Sequence, residues 1–431
     1  MGRTQVASSR GIGLDRERWR ILVWMCVLIS VNQLGFGAIV PVVPLYAEQY
    51  GVSQSAIGLT IAVFGLARFL VNVPAARLSD RRGRRIALAV GGMVSVVGTA
   101  GCAVAPSFEL FLAARFVAGA GAAFVLTGGQ IVVADITTSQ NRGRVMAIYQ
   151  GVFLVSVGAG AFPGGWLAES VGLAAPFWVS AILAGGVSLL AWFFVPETRH
   201  LAHRLRSAAS AKPLSARGEM SALLATPGFL LICLVGFATT GARTGALFNV
   251  IPIFAEDEIG LGADQIGIGI GLISIVGLIF VYPAGLLVDR FGRKAIIVPS
   301  TLFSAAAMLL FGLATSFEFY LFASLVWSTA SGISGATPAA YAADIAPAGM
   351  TAPAMGLFRA ISDSGYVVGP LALGALADAT SSITSLQTTA GVLLAIGLLF
   401  AFRAPESLKK SPRMHLEPAS RSLSDPSPPE G

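Results

Sequence analysis

The string Pro74-Ala75-Ala76-Arg77-Leu78-Ser79-Asp80-Arg81-Arg82-Gly83-Arg84-Arg85 decides how this chain is read. A near copy stands 209 residues further on as Pro283-Ala284-Gly285-Leu286-Leu287-Val288-Asp289-Arg290-Phe291-Gly292-Arg293-Lys294. A match of the chain to itself at a fixed shift marks a duplicated unit. The same shift pairs Ser107-Phe108-Glu109 with Ser316-Phe317-Glu318, Ala134-Asp135-Ile136 with Ala343-Asp344-Ile345, and Gly160 and Gly165 with Gly369 and Gly374. Nearer the start, Pro44-Leu45-Tyr46-Ala47-Glu48 matches Pro252-Ile253-Phe254-Ala255-Glu256 at a shift of 208, whereas Gly58 pairs with Gly267 at 209, so one residue entered between them. Two similar units follow one another in the same orientation.

Each unit is built for a bilayer. Of the 431 residues 55% are hydrophobic and 12% are charged, and the mean hydropathy is +0.76, where a soluble globular chain carries about 25% charged residues. Apolar windows long enough to cross ~30 Å of hydrocarbon at 1.5 Å per residue predict twelve transmembrane helices. Their limits are 20–46, 56–78, 86–106, 108–133, 143–168, 174–195, 226–254, 264–288, 293–314, 317–342, 352–378 and 383–403. The expected organisation is a cytoplasmic tail (1–19), a six-helix half (20–195), a cytoplasmic central loop (196–225), a second six-helix half (226–404) and a Pro- and Ser-rich disordered cytoplasmic tail (405–431). The fold class is thus an all-α integral membrane protein made of two parallel six-helix repeats. Such a pair can enclose a site near the bilayer midplane that opens alternately to either side.

The basic residues test that count, because they gather in cytoplasmic loops. All but four of the 29 Lys and Arg residues fall before the first span, in the turns after the second, fourth and eighth, in the central loop, or in the final tail. Both termini are therefore expected inside, with the first span retained rather than cleaved as a signal. The same pattern explains the net charge of +7 without a nucleic-acid partner. Cys26, Cys102 and Cys233 lie in separate apolar spans, which supports neither disulfides nor a metal site. His200, His203 and His415 fall in the loop and tail, so the spans hold no histidine for relay or acyl transfer. No phosphate-cradling Walker sequence is present. An enzyme is not expected, nor a cofactor, and the energy source would be an ion gradient.

The doubled turn, a glycine followed by Asp-Arg-x-Gly-Arg-Arg/Lys, resembles the signature of the major facilitator superfamily, and the resemblance covers residues 20–403. Ala76 departs from the glycine that Gly285 supplies. The resemblance implies a conformational latch that holds the two halves together at the cytoplasmic side in the outward-open state. It is carried by Asp80, Arg81, Gly83 and Arg84, with a second copy in Asp289, Arg290, Gly292 and Arg293. The chemistry suits that role, since a carboxylate at a helix end beside guanidiniums makes charge-assisted bonds that can exist in one conformation only. A solvated basic loop that fixes topology is the other reading, and it applies to Arg82 and Arg85. Gly158-Ala159-Gly160-Ala161-Phe162-Pro163-Gly164-Gly165 resembles the glycine-proline element of the superfamily's drug:proton antiporter branch, with its proline moved two places. Its partner, Gly365, Gly369, Pro370 and Gly374, keeps the Gly-Pro step, and close helix packing explains both strings equally well.

Charges deep in a span are functional candidates. Arg115 opens a string rich in Gly and Ala in the fourth span. In the family such an arginine serves proton transfer or cavity electrostatics; a structural bond to backbone carbonyls is the alternative. Arg68, Arg243, Arg359 and Asp363 are the others. Arg359 and Asp363 are four residues apart and share a helix face, with Asp363 roughly 16 Å along the eleventh span. Asp363 is the one deep acid, hence the candidate for reversible protonation or else a permanent partner of Arg359. This balance fits an anionic, zwitterionic or neutral substrate better than a polyvalent cation. Asn32, Gln33, Asn72, Gln130, Gln150 and Asn249 are candidates for the substrate cavity or for hydrogen bonds between helices, and Phe248, Tyr282, Phe358 and Tyr366 for its walls. The expected function is a proton-coupled exporter of drugs or secondary metabolites, a monomer spanning the plasma membrane many times. Its partners would be a small-molecule substrate, protons and the lipid bilayer. An importer of an organic anion, or a non-transporting sensor or scaffold, are the alternatives.

Overall fold

The computed structural model describes residues 14–137, 141–198, 221–335, 337–347 and 350–407. The expectations for residues 1–13, for 199–220 of the central loop and for the tail beyond 407 lie outside the described residues, as do the side chains of Tyr282, Asp289 and Arg290.

Among the described residues the regular structure is helical. The first half runs α1 (Arg16–Ile39), α2 (Val42–Glu48), α3 (Gln54–Arg82), α4 (Arg84–Ala103), α5 (Phe108–Asp135), α6 (Arg142–Ser170) and α7 (Ala175–Phe194). The second half runs α8 (Phe229–Gly241), a π-helical stretch Ala242–Val250, α9 (Ile251–Asp257), α10 (Ala263–Phe291), α11 (Lys294–Gly312), α12 (Phe317–Ser334), α13 (Thr337–Asp344), α14 (Thr351–Ala379) and α15 (Ser382–Arg403). Among the described residues eleven stretches are long and apolar enough to cross a bilayer, one of them made of α8, the π-helical stretch and α9 together. The tenth span, expected as one helix, is split at Gly335 (φ 43°) into α12 and α13.

Local chemistry sets the helix starts. Ser107 and Ser316, partners in the repeat, each accept a bond from the amide three residues on, Leu110 N–H (3.5 Å) and Phe319 N–H (3.3 Å), which is N-capping. Two other spans depart from a continuous α-helix, and both carry the repeated proline. The first span breaks after Ile39 and resumes as α2 around Pro44; the seventh winds as π-helix up to Val250, just ahead of Pro252. A proline ring crowds the carbonyl one turn earlier and offers no N–H. The turn before Pro252 therefore rewinds, and π-turns of this kind cluster at functional sites.

Small residues let the helices touch. A Cβ at Gly160 or Gly164 of α6 would overlap the α1 backbone at Leu34 or Ala38, and one at Gly365 or Gly369 of α14 would overlap the seventh span at Phe237 or Gly241. The other edge of the same two strings faces across the halves. Gly158 and Gly165 meet α10 at Ser274 and Ala263, and Gly374 meets α3 at Gln54. Each glycine-rich string thus fastens one half internally and forms a seam with the other. Large apolar side chains such as Ile182 (71% exposed) and Phe402 (81%) cover the outside, as the lipid-facing surface of a bundle requires.

Candidate functional site

At the arginine-rich face the motif glycines carry a geometry that only glycine takes easily. Gly83 and Gly292 have φ of 103° and 96° and separate consecutive helices in each half. The helix that follows each is capped by a carboxylate from the end of the same half. Glu197 Oε1 accepts Arg84 N–H (3.1 Å), while the Glu406 oxygens accept Arg293 N–H (3.1 Å) and Lys294 N–H (3.2 Å). A Cβ at either glycine would run into that carboxylate.

Arg84 is the hub of the first half. It is 4% exposed, its Nε donates to Asp135 Oδ2 (2.9 Å), and its Nη1 donates to Asp80 Oδ1 (2.9 Å) and Ser79 O (2.9 Å). Thr198 Oγ1 donates to the same Asp135 oxygen at 2.9 Å. The second half repeats the core of this arrangement, with Arg293 Nε 2.9 Å from Asp344 Oδ2. Arg84 and Arg293, Asp135 and Asp344, Glu197 and Glu406 are all 209 residues apart. Sequence reasoning recognised the Asp135 and Asp344 match as part of the repeat and did not single out Glu197 or Glu406. Val195-Pro196-Glu197 against Ala404-Pro405-Glu406 at the same shift is the signal that would have found them. In this conformation Asp80 pairs within its own half and is half exposed. Arg81 and Arg82 are exposed, and Arg85 lies 4.8 Å from the Trp192 ring.

At the opposite face the two halves hold one another. Asp378, at the end of α14, accepts Gln54 N–H (2.7 Å) and Ser55 N–H (2.8 Å) at the start of α3. Glu169, at the end of α6, accepts Ala263 N–H (3.3 Å) at the start of α10. Both carboxylates and both helix starts are related by the 209-residue shift. Each half therefore caps a helix N-terminus of the other, where the backbone dipole attracts negative charge. Nearby, Glu48 on α2 meets the field of Glu256 and Asp257 across the seam; burial first, and then those two carboxylates, push it up to about 7. These contacts pin the two halves at this face.

Charged side chains also lie deep within the spans. Arg243, Arg359 and Asp363 are accessible although they lie at mid-span. Arg359 and Asp363 share a face as their spacing predicts, yet neither an ion pair nor a hydrogen bond joins them among the described residues. Asp363 instead lies within electrostatic range of Arg243, which the π-helical stretch presents together with Arg68 and Tyr366. The Arg68 guanidinium sits 5.5 Å from the Tyr366 ring centre across the halves. Arg115 is 3% exposed; its Nε donates to Thr60 O (3.3 Å), its guanidinium covers the Phe64 ring at 4.6 Å, and its Nη1 has no hydrogen-bond partner among the described residues.

Two cavities, which touch Arg68 or Arg115 and Tyr366, share Phe36 and Ile39. One, about 60 Å³, is lined by Asn32, Gln33, Phe64 and Arg68; the other, about 20 Å³, by Arg115, Phe248 and Tyr366. The remaining polar candidates go elsewhere. Asn249 is fully buried and donates to Pro370 O (3.4 Å), joining the seventh span to the eleventh, and Asn72 accepts from Thr127 Oγ1 (2.9 Å). Both are helix-to-helix bonds. Gln130 and Gln150 are half-buried and line neither cavity, and Phe358 is packed in the second-half core.

Two parallel six-helix halves, a charged cavity between them and pinning at one face define a secondary transporter of the alternating-access kind. The family model of the Major Facilitator Superfamily matches residues 25–281 and 234–424. The chain belongs to that superfamily. It is 24% identical to Multidrug resistance protein 1 of Bacillus subtilis over 88% of this chain and 95% of that one. It is 29% identical to the class C tetracycline resistance protein of Escherichia coli over 67% of this chain and 72% of that one. Among solved structures, a D-xylose-proton symporter superposes with a TM-score of 0.70 at 17% identity, covering 89% of this chain and 98% of that one. The chain is a multi-pass membrane transporter resembling the drug-efflux branch, and not an enzyme.

Proposed function

We propose that this transporter is a proton-coupled exporter of small organic compounds, acting as a monomer in the cell membrane. The observation that carries the reading is Asp363, an accessible carboxylate at mid-span with no ion-pair partner among the described residues, within electrostatic range of Arg243. Such a group takes up a proton from one side and releases it to the other as the cavity changes face. Similarity to proteins named for multidrug and tetracycline resistance supports the outward direction. In the alternate state, Asp80, Arg81, Gly83 and Arg84, with Asp289, Arg290, Gly292 and Arg293, would close the arginine-rich face. The test reconstitutes wild type and Asp363→Asn in vesicles under a pH gradient and follows proton movement as anionic, neutral and cationic compounds are added. Compound-dependent proton flux in wild type that vanishes in the variant is the expected result; equal flux in both removes Asp363 from the relay. The rival reading, uptake of an organic anion, has Arg68, Arg115 and Arg243 in its favour. Accumulation driven by an acidic exterior would establish it.

A further inference from the structure

The larger cavity, about 60 Å³, is enclosed by the spans of the first half alone. It shares Phe36 and Ile39 with the smaller cavity, which reaches Phe248 and Tyr366 of the second half. Three hydroxyl side chains line it, Ser95 and Thr99 from α4 and Ser180 from α7. All three are more than nine-tenths buried, and their hydroxyls make no hydrogen bond among the described residues. Gln33, equally buried, accepts Asn32 Nδ2–H on its Oε1 (2.7 Å) and keeps its own amide donors unspent. Buried polar groups without partners are costly and uncommon. Four of them around one space mark a place that a polar group fills.

The repeat shows the same place closed. Ser95 and Ser180 correspond at the 209-residue shift to Ser304 and Thr389, whose hydroxyls donate to their own helices, Ser304 Oγ to Ser300 O (3.0 Å) and Thr389 Oγ1 to Ser385 O (2.8 Å). Thr99, Ala118 and Ala184 correspond to Met308, Trp327 and Leu393, all buried. Three large side chains therefore occupy the second half where the first has small ones, and interiors otherwise pack densely. The space left has room for about four to six water-sized groups at roughly 10–15 Å³ each. We infer that this cavity is a side pocket for one end of the transported compound, and that this end is an uncharged vicinal diol. Hydroxyls both donate and accept, as an alcohol does, so an ether or a hydrocarbon in the same place would leave them unpaired. Arg68 is the one charged lining residue, and its guanidinium already sits against the Tyr366 ring at 5.5 Å. Phe36, Phe64 and Phe153 supply apolar wall for the body that follows. The inference rests on the chain being a transporter and on neither the direction nor the coupling proposed above.

The full chain in lipid nanodiscs can be titrated calorimetrically with 3-phenoxypropane-1,2-diol and with its dimethyl ether, which keeps the body and the neutrality but has no hydroxyl. The diol is expected to bind at least about tenfold more tightly, the equivalent of two hydrogen bonds. Thr99→Met with Ala184→Leu installs the second half's side chains and should bring the diol down to the affinity of the ether. Thr99→Val with Ser180→Ala keeps the space but removes two hydroxyls; it should cut the preference by about threefold or more without weakening the ether. This second variant adds no bulk, so it decides the matter if the larger side chains disturb folding. Equal affinity for diol and ether in wild type, as a cavity holding water alone would give, would overturn the inference. So would no binding of the diol, or an unchanged preference in either variant that unfolds at the wild-type temperature. Proton flux in vesicles separates this from the exporter reading. Flux driven by other compounds in a protein without diol preference would keep the exporter and remove the pocket, whereas diol preference without proton flux would keep the pocket and remove the coupling.

Discussion

Weakening the pinned face should tip the transporter toward the state open on that side, and Asp378 is the place to do it. Its two oxygens accept Gln54 N–H and Ser55 N–H at 2.7 and 2.8 Å. Bonds to a charged acceptor contribute roughly 1.5–3 kcal/mol each, less at an exposed helix start where water competes. Asp378→Asn keeps one acceptor oxygen and loses the charge and one bond, for a net loss of about 1–2 kcal/mol. That is a roughly 5- to 30-fold change in the ratio of the two states. Glu169 makes one longer bond, 3.3 Å to Ala263 N–H, so Glu169→Gln should move the ratio less, and the double variant should approach the sum because the two contacts share no partner. Spin labels at Val171→Cys and Leu313→Cys, both exposed near that face, on a background without Cys26, Cys102 and Cys233, would report the distance by pulsed electron resonance. The expected result is growth of a long-distance population with Asp378→Asn and further growth in the double variant. An unchanged distance distribution in the double variant, with normal thermal unfolding, would refute the assignment of these carboxylates as pins.

Glu48 makes the same equilibrium depend on pH. In the pinned state its carboxyl is held up to about 7, first by burial and then by Asp257 and Glu256; once the halves part it returns toward the ordinary value near 4.5. A raised value favours the protonated form, so its contribution to closure is complete below the ordinary value and is lost as pH rises through about 7. The spin-label distances should therefore lengthen between pH 5 and pH 8 as ~rough bounds of that window, and Glu48→Gln should flatten the response. At the other face, Arg84→Ala leaves Asp135, 7% exposed, without its guanidinium, which costs about 3–5 kcal/mol for a buried pair broken on one side. A marked fall in melting temperature is expected, against little change for the exposed Arg82→Ala.

Much of this protein is legible in its sequence because its rules are local or periodic. Apolar windows of span length become helices in hydrocarbon, where a single segment satisfies its own backbone polar groups only as a helix, and the 209-residue shift shows that six of them were duplicated. The motif glycines were readable for the same reason, since a turn at positive φ suits glycine wherever it occurs. Deep charges could be located by position alone.

What they do could not be read in that way, because spacing along one helix fixes a face and says nothing of what stands opposite. Arg359 and Asp363 have ion-pair spacing and make none, while Asp363 lies within electrostatic range of Arg243, 120 residues earlier in the chain. Asn249 carries the chemistry of a cavity residue and is spent on Pro370. Glu169 and Asp378 look like ordinary helix-end acids until the halves dock and set each against the other half's helix start. Sequence determined the spans, the duplication and the inventory of buried charge. Tertiary structure decided the pairing, because hydrogen bonds need polar atoms within about 3 Å of one another and only the packing of the two halves brings distant residues that close.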